Sequence, residues 1–299
     1  MAAEGYILLP ERGVLALGGA EAEPFLQGLV SNDLAKITEE RAGYGALLTP
    51  QGKFLFDFVI LRQGDLLLLD VERERVAALL QRLTLYRLRA KVTLEDVSER
   101  CALAAVLGDG IAARFDLPEQ PGACRSLEDG IACVDPRLAR LGVRVVLPAE
   151  RLEPKLQELG LARLDPEAYE RARLALGVPD GSRDLVVEKS TLLESGFEEL
   201  GGVDFAKGCF VGQELTARMK YRGLVRKRLL PVILKGPQPE PGTIIRLGER
   251  EAGEMRSSID GRGLALLRLD RIAEADQAGT ALVAGTTEVV PVKPDWVNF

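Results

Sequence analysis

The stretch Lys207-Gly-Cys-Phe-Val-Gly-Gln-Glu-Leu-Thr-Ala-Arg-Met-Lys220 holds the residues whose types and spacing best suit chemistry. Gly208 and Gly212 flank Cys209 and let the backbone approach a ligand closely. Gln213–Lys220 predicts a short helix, with Glu214 and Arg218 placed to pair one turn apart. Cys209 then precedes a helix N-terminus. The positive potential there, with Lys207 nearby, favours the thiolate that ligates metal or attacks an electrophile. The competing reading is a buried, inert thiol in a glycine-flanked loop, because free cysteines are among the most buried residues.

Composition removes whole classes of mechanism. The chain has no histidine, so Ser-His-Asp triads, Cys-His pairs, His-ligated zinc and imidazole acid–base chemistry are excluded. Proton transfer falls to Asp, Glu, Lys, Tyr, Cys or the substrate. Cys101, Cys124, Cys133 and Cys209 contain no C-x-x-C pair and lie too far apart in sequence for a local metal cage. Free thiols are expected. A net charge of −6 argues against a general polyanion binder. The start, Met1-Ala-Ala-Glu-Gly-Tyr-Ile-Leu-Leu-Pro10, has no basic region and its apolar run ends at proline, so it does not read as an export signal. No apolar run reaches the roughly 20 residues of a membrane helix. The expectation is a cytoplasmic protein with neither membrane nor nucleic-acid partners.

The elements that must position these residues follow from hydrophobic period and punctuation. With 299 residues the chain exceeds one ordinary core and suggests two or three packed units. Tyr6–Leu9 and Gly13–Leu17 read as strands, followed by a helix around Ala20–Leu29. Thr49-Pro-Gln-Gly52 is a turn signal, and Phe54–Leu61 with Leu66–Val71 forms a hairpin. A helical segment covers Glu72–Leu85. Tyr86–Val92 reads as a strand with Arg87, Arg89 and Lys91 on one face and apolar residues on the other. This order predicts an α+β layer. Strands follow at Ala102–Leu107, Ile131–Val134 and Val143–Leu147, then helices at Ala149–Leu159 and Pro166–Leu176. From about Arg228 helical periodicity gives way to short apolar runs between Gly and Pro, predicting a small all-β barrel over 228–299 after a first region of 1–227.

Lys207-Gly-Cys-Phe-Val-Gly-Gln-Glu214 resembles the signature of YgfZ-type proteins, relatives of the glycine cleavage T-protein linked to folate and to iron–sulfur cluster maturation. Arg226-Lys-Arg-Leu-Leu-Pro-Val232 is similar to the continuation in mitochondrial members of that group. Phe25-Leu-Gln-Gly-Leu-Val-Ser-Asn-Asp-Leu34 and Leu48-Thr-Pro-Gln-Gly-Lys-Phe-Leu-Phe-Asp57 resemble the group's N-terminal pattern. The resemblance covers most of the chain. It implies a T-protein-like folate-binding α+β fold, with two interleaved α/β units around a central opening and a C-terminal β-barrel. It also implies a reduced folate such as tetrahydrofolate as cofactor, with Gly208, Gly212, Gln213 and Glu214 in the ligand-contacting motif.

The T-protein's aminomethyl transfer uses an acidic pair where this chain has Phe56-Asp57, so one carboxylate is missing. Two readings stand for Asp57: a pterin contact, or an edge-facing strand carboxylate. Two stand for Arg87, Arg89 and Lys91: a grip on the glutamate tail of folate, or a solvated strand face. Phe25–Gly28 and Asn32-Asp33 read as structural. The resemblance implies a maturation factor that uses Cys209 in a transient iron–sulfur cluster. Because clusters are held by about four thiolates, assembly proteins or client enzymes must supply the other ligands. The enzyme alternative is a folate-dependent aminomethyltransferase.

Overall fold

Val143-Arg-Val-Val-Leu-Pro148 alternates so that Val143, Val145 and Leu147 share one apolar face and Arg144 stands on the other, a pattern repeated through much of the structure. A computed structural model describes residues 4–298. The chain divides into two units. One takes in the chain up to Leu48, Leu55–Tyr169 and Leu200–Val211; the other takes in Thr49–Phe54, Glu170–Glu199 and the chain from Gly212 onward.

The first unit begins with β1 (Gly5–Leu8), β2 (Arg12–Gly18), α1 (Ala22–Gln27) and β3 (Gly43–Leu48). Then come β4 (Phe54–Gln63), β5 (Leu66–Glu72), α2 (Val76–Arg87) and β6 (Thr93–Asp96). It continues with β7 (Cys101–Leu107), β8 (Cys124–Leu127), β9 (Gly130–Val134), β10 (Val143–Pro148) and α3 (Ala149–Glu158). These strands form two five-stranded sheets, ordered β1-β7-β10-β9-β8 and β3-β4-β5-β2-β6. Val106, Val134, Val143, Val145 and Leu147 of the first sheet pack with Leu152 and Leu156 of α3 into one core. The expected hairpin is present, with β4 and β5 paired antiparallel from Val59–Asp70 to Gln63–Leu66.

Next along the chain come α4 (Ala168–Leu176), α5 (Gly181–Asp184) and α6 (Gln213–Tyr221). The barrel consists of β11 (Lys227–Lys235), β12 (Ile244–Leu247), β13 (Arg250–Ile259) and β14 (Arg262–Arg268), then α7 (Leu269–Ala278), β15 (Leu282–Ala284) and β16 (Thr287–Pro291). It closes in the order β11-β14-β13-β12-β15-β16. Val232, Ile245, Met255, Leu267 and Val289 fill its interior.

Two predicted elements need correction. Tyr86–Val92 is not a strand: α2 runs on to Arg87, Leu88 ends it at φ 45°, and pairing resumes only at β6. The burial of Val76, Leu79 and Leu83 carries the helix through Tyr86, and seven alternating residues do not outweigh that continuous helical stripe. Arg87, Arg89 and Lys91 therefore do not share a strand face. Arg87 ends the helix, where a cation suits the carbonyl dipoles, and its guanidinium donates to Val92 O at 3.5 Å. Arg89 and Lys91 are exposed. The second correction is α7, which interrupts the expected all-β region: Ala275 and Ile272 pack against the barrel core, and Gly279 caps the helix in the left-handed region.

Candidate functional site

Cys209 is exposed, whereas Cys124 and Cys133 are buried and Cys101 is partly buried. Burial pushes the Cys101 thiol up. A hydrogen bond with Cys124, reinforced by burial, pushes Cys133 up further. Those three positions suit packing. Gly208 adopts φ +82°, yet a Cβ there would meet no atom within 4 Å. Its backbone conformation, not crowding, calls for glycine.

The loop that carries Cys209 is held from beneath by the chain that follows α1. The Lys207 ammonium donates to the carbonyls of Gln27 at 2.7 Å and Asn32 at 2.8 Å, and also to that of Val30. These oxygens lie at or just past the end of a helix, where carbonyls lack helical partners and attract cations. Ser31 Oγ donates to Gly202 O at 2.6 Å, Asn32 Nδ2 donates to Gly201 O at 2.8 Å, and Val211 N–H donates to Gly28 O at 3.2 Å. Both ends of the loop are thus tied to one short segment. Lys207 is buried, and its pKa is pushed down to about 8 by that burial, against the opposing pull of Asp33 and Asp204. Its ammonium also lies 5.3 Å from the centre of the Phe210 ring. These contacts make Lys207 an anchor of the loop.

Phe210, Val211 and Gly212 separate Cys209 from Gln213, the first residue of α6. The thiol precedes the helix without capping it. Gly212 occupies the N-cap at φ 81°, Gln213 is partly buried and Glu214 is exposed. The Thr49–Gly52 turn supports this helix start: Gly52 N–H donates to Thr49 O at 2.8 Å. A Cβ on Gly52 would fall 2.7 Å from Gly212 O and 2.6 Å from Leu215 Cβ. Only glycine permits that approach. The two N-terminal motifs therefore hold consecutive parts of the cysteine segment.

Asp57 lies on β4, which is an interior strand, so it is not the edge-facing carboxylate considered from the sequence. It is buried, and the Tyr44 hydroxyl donates to its Oδ2 at 2.8 Å. Burial, then the charge of Asp57, pushes the Tyr44 phenol well up, so it stays a donor. Where an acidic pair would need its other carboxylate, Phe56 is buried beneath the Arg75 guanidinium at 4.3 Å.

Beside this pair runs a buried network that joins the two sheets of the first unit. Arg12 Nε donates to Asp70 Oδ1 at 2.7 Å and Arg144 Nε donates to Asp70 Oδ2 at 2.9 Å. Arg144 also donates to Tyr169 Oη at 3.0 Å, which accepts from Arg137 at 2.7 Å. Arg137 is bidentate to Asp135, through Nε at 3.0 Å and Nη2 at 2.7 Å, and lies over the Tyr44 ring. Burial alone would raise Asp135, but Arg137 and then Arg144 hold its carboxyl below the usual range. Charges buried this completely persist only when paired. Nothing in the sequence marked Asp70, Asp135 or the arginines as one cluster. Among the described residues, no group of three or more Cys, Asp and Glu side chains gathers to hold a metal ion.

Comparison with known proteins fits this geometry. The chain is 34% identical to the human mitochondrial iron–sulfur cluster assembly factor IBA57, over 96% of this chain and 84% of the relative. The chain belongs to the IBA57 family. A second member, the mitochondrial IBA57 homolog of Coccidioides immitis, is 30% identical over 92% of this chain and 74% of its own length. The description "CAF17, C-terminal beta-barrel domain" matches residues 226–299. The aminomethyltransferase T of the glycine cleavage system from Bartonella henselae superposes with a TM-score of 0.79 at 17% identity, over 99% of this chain and 87% of that one. The expected T-protein-like fold with a C-terminal barrel is therefore present. These IBA57 relatives are mitochondrial, which overturns the cytoplasmic expectation. That expectation rested on the lack of an export signal, which bears on secretion and does not distinguish among intracellular compartments.

Proposed function

We propose that this IBA57-family member acts as the YgfZ-type resemblance implies: it binds a reduced folate and uses the Cys209 thiol in assembling or repairing iron–sulfur clusters for client enzymes. The observation that carries this reading is the contrast among the thiols. Cys209 alone of the four is exposed, and it sits on a loop tied at both ends. A rigid loop presents a soft ligand without a large ordering cost at each encounter. One thiolate does not complete a cluster, so the assembly partner or client supplies the remaining ligands to the cluster as cargo.

Asp57 is the residue assigned to folate. A carboxylate complements the amino and ring N–H donors of a reduced pterin, and Tyr44 orients it from a neighbouring strand. A bound reduced folate would supply nitrogens able to accept one-carbon units. Phe56, packed under Arg75 in place of a further carboxylate, favours binding over aminomethyl transfer. Arg87 and Arg89 are left out of the ligand site, because the strand face that grouped them does not exist.

Calorimetric titration of the purified protein with tetrahydrofolate tests the folate assignment. The expected result is binding tighter than millimolar, weakened on the order of tenfold by Asp57→Asn, since a hydrogen bond to a charged group contributes about 1.5–3 kcal/mol. Absent binding removes the folate assignment, and binding indifferent to Asp57→Asn removes the role of Asp57; either leaves the role of Cys209 intact.

A further inference from the structure

Cys124 and Cys133 face each other directly across β8 and β9. The backbone hydrogen bonds show which kind of antiparallel pair they form. One step along the ladder Val134 N–H donates to Ala123 O at 2.9 Å, and Val134 O accepts from Gly122 N–H at 3.1 Å. Cys124 N–H points outward and donates to Glu40 O at 2.8 Å. The two cysteines are therefore a non-hydrogen-bonded pair, in which Cα atoms stand about 4.5 Å apart and both side chains lean to the same face. That separation falls within the range a disulfide spans. Both thiols are free.

We propose that Cys124 and Cys133 are a modification site, forming an intramolecular disulfide with a small peroxide as oxidant. Access is asymmetric. Cys124 is 8% exposed against 1% for Cys133. Cys124 is attacked first: its sulfur takes an oxygen from hydrogen peroxide, giving a sulfenic acid and one water. The Cys133 sulfur then displaces that hydroxyl, which leaves as a second water with the Cys133 proton. The thiols together lose two electrons and two hydrogens, and the peroxide is reduced to water. A dithiol reductant reverses the change by exchange.

The neighbours give the site a place in the molecule. Arg144 of β10 is the register partner of Cys133, so Cys124, Cys133 and Arg144 form one row across three strands. The pair thus lies on the face that carries the buried charge network, apart from the core against α3, which takes Ala132 and Val134 from the opposite face of β9. Cys209 takes no part, and the proposal stands whether or not the protein handles clusters.

The test treats the full-length protein with hydrogen peroxide, alkylates the remaining thiols after unfolding, and maps tryptic peptides by mass spectrometry. Cys124 and Cys133 fall in separate peptides, Phe115–Arg125 and Ser126–Arg137. The expected product is these two peptides joined and lighter by two hydrogens, released by dithiothreitol. Cys133→Ser should abolish the join and leave a Cys124 sulfenic acid that dimedone traps. Full alkylation of both cysteines in the wild type, under peroxide that oxidises Cys209 or Cys101, overturns the proposal. So does a join that instead links Cys209.

Discussion

The buried network around Asp70 and Asp135 and the loop around Cys209 use charge in opposite ways. In the network, Arg12, Arg137 and Arg144 are answered by buried carboxylates. In the loop, one buried cation, Lys207, donates to backbone carbonyls, and the residue two places on is an exposed thiol. The first arrangement fixes a scaffold. The second spends a buried charge on holding a short piece of chain still, so that a side chain without strong partners can meet another molecule. Chemistry is to be sought where the anchoring is strong and the presented atom is free of it.

Breaking the network should have the largest effect. Arg144→Met leaves Asp70 and Asp135 each short of a buried partner and should cost about 3–5 kcal/mol in urea unfolding. A cost below about 1 kcal/mol would mean that Arg12 and Arg137 suffice, and that the sheets are joined mainly by apolar packing. Lys207→Met comes next. It strands buried carbonyls at about 1–3 kcal/mol each before any relaxation, and should loosen the loop enough to speed hydrogen exchange at Val211. Unchanged exchange would show that the backbone bonds of Val211 N–H to Gly28 O and of Asp204 N–H to Ser31 O hold the loop alone.

The same lysine gives a pH signature. Its folded pKa is near 8, below the ordinary value of 10.5, so between those pH values the unfolded chain binds more protons than the folded one. Stability should therefore rise with pH across that window in the wild type relative to Lys207→Met. A flat or falling difference would mean that the carbonyls keep the ammonium protonated despite its burial. The smallest effect is expected from Arg87→Ala with Arg89→Ala. If these cations hold no folate tail, the double variant should change affinity for polyglutamylated and tail-less folates equally. A selective loss for the polyglutamylated form would restore the tail contact.

Local pattern made much of the fold legible. Short apolar runs and the Gly and Pro residues between them revealed most strands of the first unit, the turn at Thr49–Gly52 and the hairpin of β4 and β5. Local pattern misled at Tyr86–Val92, where apolar and cationic residues alternate at the end of a helix, and it passed over α7, whose short apolar stripe is set among charged residues. The cysteine motif was visible because its glycines and thiol are contiguous. Its anchor was not, because the carbonyls that accept from Lys207 lie 175–180 residues away and backbone oxygens leave no mark in a sequence. The charge network was hidden for a related reason: its members come from several strands, and each alone reads as an ordinary charged residue.

The most direct test of the central claim is substitution of Cys209 by Ser, followed by measurement of iron–sulfur enzyme activities in cells whose own copy of the protein is absent. The side chain is exposed, so unfolding free energy should change by less than about 0.5 kcal/mol and folate affinity should not change. Cluster-dependent activities should nevertheless fall to the level of cells lacking the protein. Full rescue by Cys209→Ser, with native alkylation reaching Cys101 or Cys124 before Cys209 in the wild type, would contradict the claim and leave the anchored loop as packing only.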